Sequence, residues 1–269
     1  MPETVSFQLL STPAGGELMR LDDFTGAWTG VRDGYTLTLV REGRGVADFG
    51  AHKGVPVSAG GVTLMAPGDV HRGRCLGPAS FDVLFLPPGI VDETARELHG
   101  ARGWWFPQTH VRAPAAASAL QAVVATSDDG GLALDSSLAT LLDLLLRHLA
   151  RSDREPASKP DRPLARRLRE RLHDTYTEKV DLDAAARDLG VSKPHLIRTF
   201  TAEVGLPPYE YLTHLRIERT RQLIAAGVGL ADAAVTVGYS DQAQMHRHFR
   251  RITRVTPGAY ARGPQRSAP

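Results

Sequence analysis

Two short segments of the sequence carry polar and basic side chains at spacings that suit the recognition of DNA. If each segment is an α-helix, these side chains lie opposite an apolar pair spaced four residues apart, Leu196 and Phe200 in the first segment and Met245 and Phe249 in the second. Their amide, imidazole and guanidinium groups can bind base edges and phosphates in a major groove. The polar sets are Lys193, His195, Arg198 and Thr201, and then Gln242, Gln244, His246, Arg247 and Arg250.

The two segments belong to a duplicated unit. Residues 182–191 align with residues 230–239 at an offset of 48, and residues 196–200 align with residues 245–249 at an offset of 49. The extra residue of the second copy therefore falls in the turn after its glycine. A repeat whose one insertion is confined to a turn indicates duplicated architecture.

Each copy has the residues that a helix-turn-helix needs. A small alanine allows the two helices to approach, a glycine makes the turn through a positive φ, and a side-chain oxygen caps the second helix. One such pattern also occurs in helical bundles, but two matched copies favour DNA binding. Residues 208–226 predict one long helix between the copies, which would hold the recognition helices about 34 Å apart in successive major grooves. The residues are Ala186, Gly190 and Ser192 in the first copy, and Ala234, Gly238 and Asp241 in the second.

The composition divides the chain at residues 151–163, a charged segment with three prolines that is typical of a linker. The net charge is −4 over residues 1–159 and +6 over residues 160–269, so we expect only the C-terminal part to meet a polyanion. Before the linker, residues 5–112 consist of short β-type runs between Gly- and Pro-containing turns, which predict a sandwich or barrel.

Two helices are predicted after the β-rich segment, at residues 114–126 and 134–149. The second carries a stripe of leucines at helical spacing. Such a stripe can pack against the β domain or pair with its twin in a second subunit, and we favour a homodimer. The stripe consists of Leu138, Leu141, Leu142, Leu145 and Leu149.

The C-terminal region, about residues 163–262, resembles the DNA-binding domain of the AraC/XylS family of bacterial regulators. The residues that carry the resemblance are Gly238, Tyr239, Ser240, Met245, Arg247, Phe249, Pro257, Tyr260 and Arg262. The N-terminal half is similar, more loosely, to the family's cupin-type sensing domain, through residues 34–39, 43–45 and 60–71. The resemblance implies a multidomain chain: a cupin-like jelly-roll β-barrel (1–112), dimerisation helices (113–150), a linker (151–163) and an all-α double helix-turn-helix domain (164–263).

The resemblance also implies which positions read bases. They are Pro194, Ile197 and Arg198 in the first recognition helix and Gln242, Gln244, His246 and Arg247 in the second, with Lys193, His195 and Arg250 beside them. The side chains of Pro194 and Ile197 cannot donate hydrogen bonds. We therefore expect the first helix to depend on thymine methyl groups, DNA shape and Arg198.

By the same resemblance the barrel binds a small-molecule effector. The residue types of Trp104 and Trp105 suit the cover of an apolar surface. The alternative is a cupin-type ligand-binding protein or metal-dependent enzyme with a helical interaction module. Metal cupins use three histidines and a carboxylate, two of the histidines as His-x-His on one strand. The corresponding strand here has only His52, and His71 stands without partners where a second metal motif would fall, so we expect no cofactor, no metal and no enzyme. The candidate effector contacts are Trp28, Arg32, Tyr35, His52, Met65 and His71.

The expected partners are double-stranded DNA, the effector, a second copy of the chain and, for an activator, RNA polymerase. A single cysteine, Cys75, excludes an internal disulfide, and we expect it to be a packed residue rather than a redox sensor. No secretory signal or long apolar run is visible, which predicts a cytoplasmic protein without membrane contact.

Overall fold

The structure is a computed structural model that describes residues 4–10, 16–49, 52–99, 110–128, 131–149 and 163–262. The chain divides into two compact units. The first contains the strands and helices up to residue 149, and the second contains the helices from residue 163 onward together with Gly30–Arg32. None of the helices in the described ranges combines the length and apolar character that a bilayer span requires.

The first unit is built on two sheets of short strands. The six-stranded sheet has the order β1 (Thr4–Leu9), β2 (Glu17–Phe24), β9 (Ala79–Leu86), β4 (Tyr35–Glu42), β7 (Val62–Met65) and β10 (His110–Val111). The four-stranded sheet has the order β3 (Ala27–Gly30), β8 (His71–Cys75), β5 (Arg44–Phe49) and β6 (His52–Ser58). This is the sheet-rich architecture that the short β-type runs predict.

Alternation along the strands gives the six-stranded sheet two apolar faces. Its inner face packs on the four-stranded sheet, where Val40, Met65 and Phe81 share a core with Ala47 and Phe49. Its outer face is covered by helices α1 (Pro88–His99), α2 (Pro114–Thr126) and α3 (Gly131–Leu144), the last of which continues as a π-helical segment, Leu145–Leu149.

The leucine stripe of α3 is buried within its own chain. Leu138, Leu141, Leu142 and Leu145 are each 2% exposed or less, and they share a core with the outer face of the six-stranded sheet. These four side chains therefore pack within the first unit and are not available to a second subunit. The prediction that they form a subunit interface was wrong, because a spacing pattern shows that residues share a face and does not show what covers that face. The side chain of Leu149 lies outside the described residues.

The second unit contains seven helices in its described residues. The first copy of the duplicated unit is formed by α5 (Leu182–Asp188) and α6 (Lys193–Val204), and α4 (Pro163–Asp174) precedes it. The second copy is formed by α8 (Leu230–Thr236) and α9 (Gln242–Thr253), which follow the long helix α7 (Pro208–Ala225). Helix α10 (Pro257–Arg262) ends the described chain. At 18 residues, α7 is about 27 Å long and forms the predicted spacer.

A tyrosine in the helix that follows each copy packs against the recognition helix. The Tyr211 ring meets Phe200 edge-on at 5.6 Å between centroids, and the Tyr260 ring meets Phe249 in the same way at 5.5 Å. The tyrosines also contact the helix that precedes each copy. His173 Nε2 is 2.8 Å from the Tyr211 hydroxyl, and the Arg221 guanidinium carbon is 5.1 Å from the Tyr260 ring centroid.

These contacts extend the duplication beyond the helix-turn-helix units. His173 of α4 and Arg221 of α7 are 48 residues apart, the same offset that relates α5 to α8. Helix α7 therefore closes the first copy with its N-terminal turns and opens the second with its C-terminal turns. The two copies are therefore joined through this shared helix.

Candidate nucleic-acid interface

The turns of the two helix-turn-helix units have the same hydrogen bonds. Gly190 and Gly238 adopt φ values of 68° and 85°, in the left-handed region that glycine tolerates best. The next residue donates its backbone N–H back into the first helix, from Val191 to the Ala186 carbonyl and from Tyr239 to the Ala234 carbonyl, both at 3.0 Å. The glycine turns predicted from the sequence are present in both copies.

Side-chain caps then start both recognition helices. The Ser192 hydroxyl accepts a hydrogen bond from the backbone N–H of His195 at 3.4 Å, and the Asp241 carboxylate accepts one from that of Gln244 at 2.7 Å. This bond from Gln244 is the main reason that the pKa of Asp241 lies below its usual range. The caps are 49 residues apart and the glycines are 48 apart, so the inserted residue lies between them, in the second turn.

Each recognition helix buries one face and exposes another. Leu196 and Phe200 of α6, and Met245 and Phe249 of α9, are fully buried. On α6 the opposite face exposes Lys193, Pro194, His195 and Arg198, with Ile197 half-buried; on α9 it exposes Gln242, Arg247 and Arg250, with Gln244 and His246 half-buried. The ten predicted DNA contacts thus lie on two helix surfaces that are accessible to a ligand.

Two of the predicted contacts have partners within the chain. Lys193 Nζ lies 2.9 Å from the Asp183 carboxylate on α5, a pair in which both side chains are largely exposed. The Gln244 side-chain carbonyl accepts hydrogen bonds from the Ser240 backbone N–H at 3.3 Å and from its hydroxyl at 3.2 Å. Gln244 is therefore fixed in orientation by the inserted residue, and a base contact would use its amide nitrogen.

Sequence reasoning missed two arginines of the same surface. Arg251 and Arg254 are exposed, and they follow Arg247 at the spacings i+4 and i+7, which places them on its side of the helix axis. The spacing is readable from the sequence, but the resemblance assigns base reading to residues nearer the start of the helix.

The six candidate effector contacts do not line one pocket. Met65 lies in the core between the sheets, and Trp28 packs there against Phe81 at 5.8 Å between ring centroids. His71 pairs with Phe49 in the strand register and so shares the inner face. Tyr35 points to the outer face, and the side chain of His52 lies outside the described residues.

Tyr35 and Arg32 have other surroundings. Tyr35 lines a small cavity under the helices, with Leu37, Val91 and Leu145 among its walls and room for about one water molecule (10 Å³). Burial raises the pKa of its hydroxyl above its usual value. Arg32 belongs to the second unit, as part of Gly30–Arg32, and its guanidinium lies 2.7 Å from the Glu218 carboxylate of α7.

Three further predictions concern single residues or clusters of ligands. Cys75 is half-buried against the inner core, which is a packed position. Trp104 and Trp105, like residues 151–162 of the predicted linker, lie outside the described residues, whereas its last residue, Pro163, begins α4. Within the described ranges, no three His, Cys, Asp or Glu side chains come together as a metal site would require.

Comparison with known protein families gives two matches that divide the chain in the same order as its two units. Residues 22–172 match the family described as "AraC-like ligand binding domain", which covers more than half of the chain. Residues 185–263 match a family described as "Helix-turn-helix domain"; the match begins within α5 and includes the rest of the first copy and all of the second.

Several curated proteins and solved structures are similar to this chain. An uncharacterised HTH-type transcriptional regulator of Bacillus subtilis, YbfI, is 29% identical over 202 residues, 70% of each chain. The MmsAB operon regulatory protein of Pseudomonas aeruginosa is 28% identical over 225 residues, 74% of this chain and 71% of the relative. The crystal structure of ToxT from Vibrio cholerae with an unsaturated fatty acid has a TM-score of 0.52 at 15% identity and covers 99% of this chain and 97% of its own.

Proposed function

The chain belongs to the AraC-like family of transcription regulators, with an N-terminal ligand-binding domain and a C-terminal DNA-binding domain, and on that premise we propose which of its residues contact DNA and which bind the effector. Helices α6 and α9 enter successive major grooves on one face of the duplex. The side chains that they expose make the contacts that distinguish one DNA sequence from another.

The observation that carries this proposal is the pair of matched recognition helices with unlike exposed faces. Arg198 and Arg247 are 49 residues apart, so they occupy the same position in the two copies, and both are exposed. A guanidinium at such a position can donate two hydrogen bonds to a guanine. Around it, α6 offers Pro194 and Ile197, which suit thymine methyl groups, whereas α9 offers Gln242 and His246, which can donate and accept hydrogen bonds.

Selection of binding sites from random duplex DNA by the full chain tests this assignment. We expect a motif with two blocks about 10–10.5 base pairs apart. Arg198→Ala should relax one block and Arg247→Ala the other, each by about 1–3 kcal/mol at one base pair. Arg96→Ala is the matched control, because it removes an exposed arginine from α1 in the first unit. An equal loss on all sequences would make either arginine a phosphate contact instead.

The effector site is proposed between the two sheets. The inner face there is lined by apolar and aromatic side chains, including Trp28 and Met65, with His71 on the same face. A ligand that these side chains surround would be an apolar small molecule with one polar group. A ligand that binds only the folded state raises the melting temperature, so a thermal-shift screen of such compounds tests the site, with Trp28→Ala expected to abolish the shift.

The remaining features follow from the regulatory role. Because four leucines of the stripe are buried within the chain, a homodimer would use the exposed faces of α2 and α3, where Leu132 is 83% exposed. A measured molecular mass near twice 29.1 kDa would support the dimer.

Binding to chromosomal DNA implies a cytoplasmic protein, and an activator would contact RNA polymerase. The regulators among its relatives support a regulator rather than an enzyme.

A further inference from the structure

The exposed face of α9 carries far more positive charge than that of α6. Four arginines, at positions 247, 250, 251 and 254, lie within two turns at the C-terminal end of α9, and all are exposed. The residues that occupy the same positions in the first copy, 49 residues earlier, are Arg198, Thr201, Ala202 and Gly205. The second copy therefore has three cations for which the first has no counterpart.

One of the three occupies a backbone conformation that is unfavourable for it. Arg254 ends α9 with φ at 68°, and its backbone N–H donates to the Arg250 carbonyl at 2.9 Å. Gly205 ends α6 with the same hydrogen bond, to the Thr201 carbonyl at 2.9 Å, and φ at 91°. A glycine takes this left-handed conformation freely, whereas an arginine is strained in it. The same turn therefore folds more easily with the residue of the first copy.

A strained residue at a functional surface indicates a role that its side chain performs. We propose that Arg250, Arg251 and Arg254 form a phosphate-binding surface at the end of α9, which makes the second helix-turn-helix unit the stronger anchor on the DNA backbone. The proposal rests on the proposed function, since it requires α9 to lie in the major groove.

The chemistry and the position of the three residues agree with this role. A guanidinium binds a phosphate through two parallel hydrogen bonds, which makes arginine well suited to nucleic-acid backbones. When the start of a recognition helix contacts bases, its far end comes close to a sugar-phosphate strand. From Gln242 to Arg254 the helix extends about 18 Å, which exceeds the 12 Å width of the major groove.

The test is the salt dependence of DNA binding by the full chain with Arg254→Gly. Each phosphate contact contributes about 0.9 to the slope of log affinity against log salt concentration. We therefore expect the slope to fall by about 0.9, so that raising salt from 50 to 200 mM weakens the variant about 3.5-fold less than the wild type. Arg250→Ala and Arg251→Ala should each give the same decrease. Arg96→Ala, which removes one positive charge from α1 in the first unit, should leave the slope unchanged.

A second measurement distinguishes this role from a structural one. Because glycine relieves the strain, the melting temperature of Arg254→Gly should hold or rise while its affinity for DNA falls. If the melting temperature fell and the salt slope did not change, the arginine would stabilise the helix end and the proposal would be overturned. Loss of affinity on one sequence alone would assign Arg254 to base reading, and lost transcription with unchanged DNA affinity would assign it to an acidic protein; either result overturns the proposal. Failure of the wild type itself to bind DNA would instead overturn the proposed function.

Discussion

The two turn glycines should tolerate alanine very differently, although they occupy the same position in the two copies. An alanine at Gly190 must adopt the left-handed region, but its Cβ would meet no atom within 4 Å. An alanine at Gly238 bears the same backbone strain, and its Cβ would lie 2.1 Å from the Thr177 carbonyl oxygen. That carbonyl is poorly able to move, because Arg216 donates hydrogen bonds at 2.7 Å to the carbonyls on either side of it, those of Tyr176 and Glu178.

These contacts give the size of the effect. The left-handed conformation costs an alanine about 1–2 kcal/mol, and the smaller conformational freedom of the unfolded alanine chain returns about 0.4–1 kcal/mol. Gly190→Ala should therefore lower the free energy of unfolding by about 1 kcal/mol. Gly238→Ala adds the overlap with Thr177, and an overlap of this kind costs about 1–3 kcal/mol. The expected total is about 2–4 kcal/mol.

The assay is urea unfolding of the full chain, together with hydrogen exchange in peptides from α8 and α9. Gly227→Ala is the matched control, because Gly227 follows α7 in the same unit with φ at 83° and an open Cβ position. It should behave like Gly190→Ala. Faster exchange should be concentrated in α8 and α9 for Gly238→Ala. Equal losses for Gly190→Ala and Gly238→Ala would refute the close contact with Thr177 and the reasoning built on it.

Two more predictions concern charges inside each unit. In the helical unit, burial lowers the pKa of His214 to about 4, with the nearby Arg251 acting in the same direction. As the pH falls from 6.5 towards 4, the unfolded state binds a proton at His214 that the folded state does not bind. Urea unfolding at pH 5 should therefore show that the wild type has lost about 2 kcal/mol of its free energy of unfolding, and that His214→Gln has not. An equal pH dependence of the wild type and the variant would contradict this. In the sheet unit, the Asp82 carboxylate is 2% exposed and lies 2.9 Å from Arg20 and 3.0 Å from Arg41. Asp82→Ala should lower the free energy of unfolding by about 2–3 kcal/mol, since Arg20 loses its carboxylate partner and Arg41 keeps only Asp22 and the Leu21 carbonyl. A loss below about 1 kcal/mol would show that solvent replaces the carboxylate.

The helical unit could be predicted well from the sequence because its signals are local. Caps at Ser192 and Asp241, glycines at the turns and apolar pairs four residues apart each act within a few residues, and the duplication repeats them. The same repeat could have revealed Arg254, since the offset of 49 pairs it with Gly205. Contacts between distant segments, such as the approach of Thr177 to Gly238, leave no pattern in the sequence.

The sheet unit could be predicted only as a class, because its site depends on which face each strand presents. Tyr35 and Met65 lie on neighbouring strands, but Tyr35 faces the helices and Met65 faces the second sheet. Alternation shows that residues two apart share a face, and a shift of one residue would exchange the two faces. The leucines of α3 present the same difficulty, since their stripe was correct and its partner was not.

Base reading by both recognition helices is tested most directly by the binding motif that the full chain selects from random duplex DNA at 50–100 mM salt. We expect two blocks about one helical turn apart, of which Arg198→Ala relaxes one and Arg247→Ala the other. A single block that responds to one arginine alone would contradict the matched use of α6 and α9. Absence of any enriched motif at low salt would contradict sequence-specific DNA binding itself.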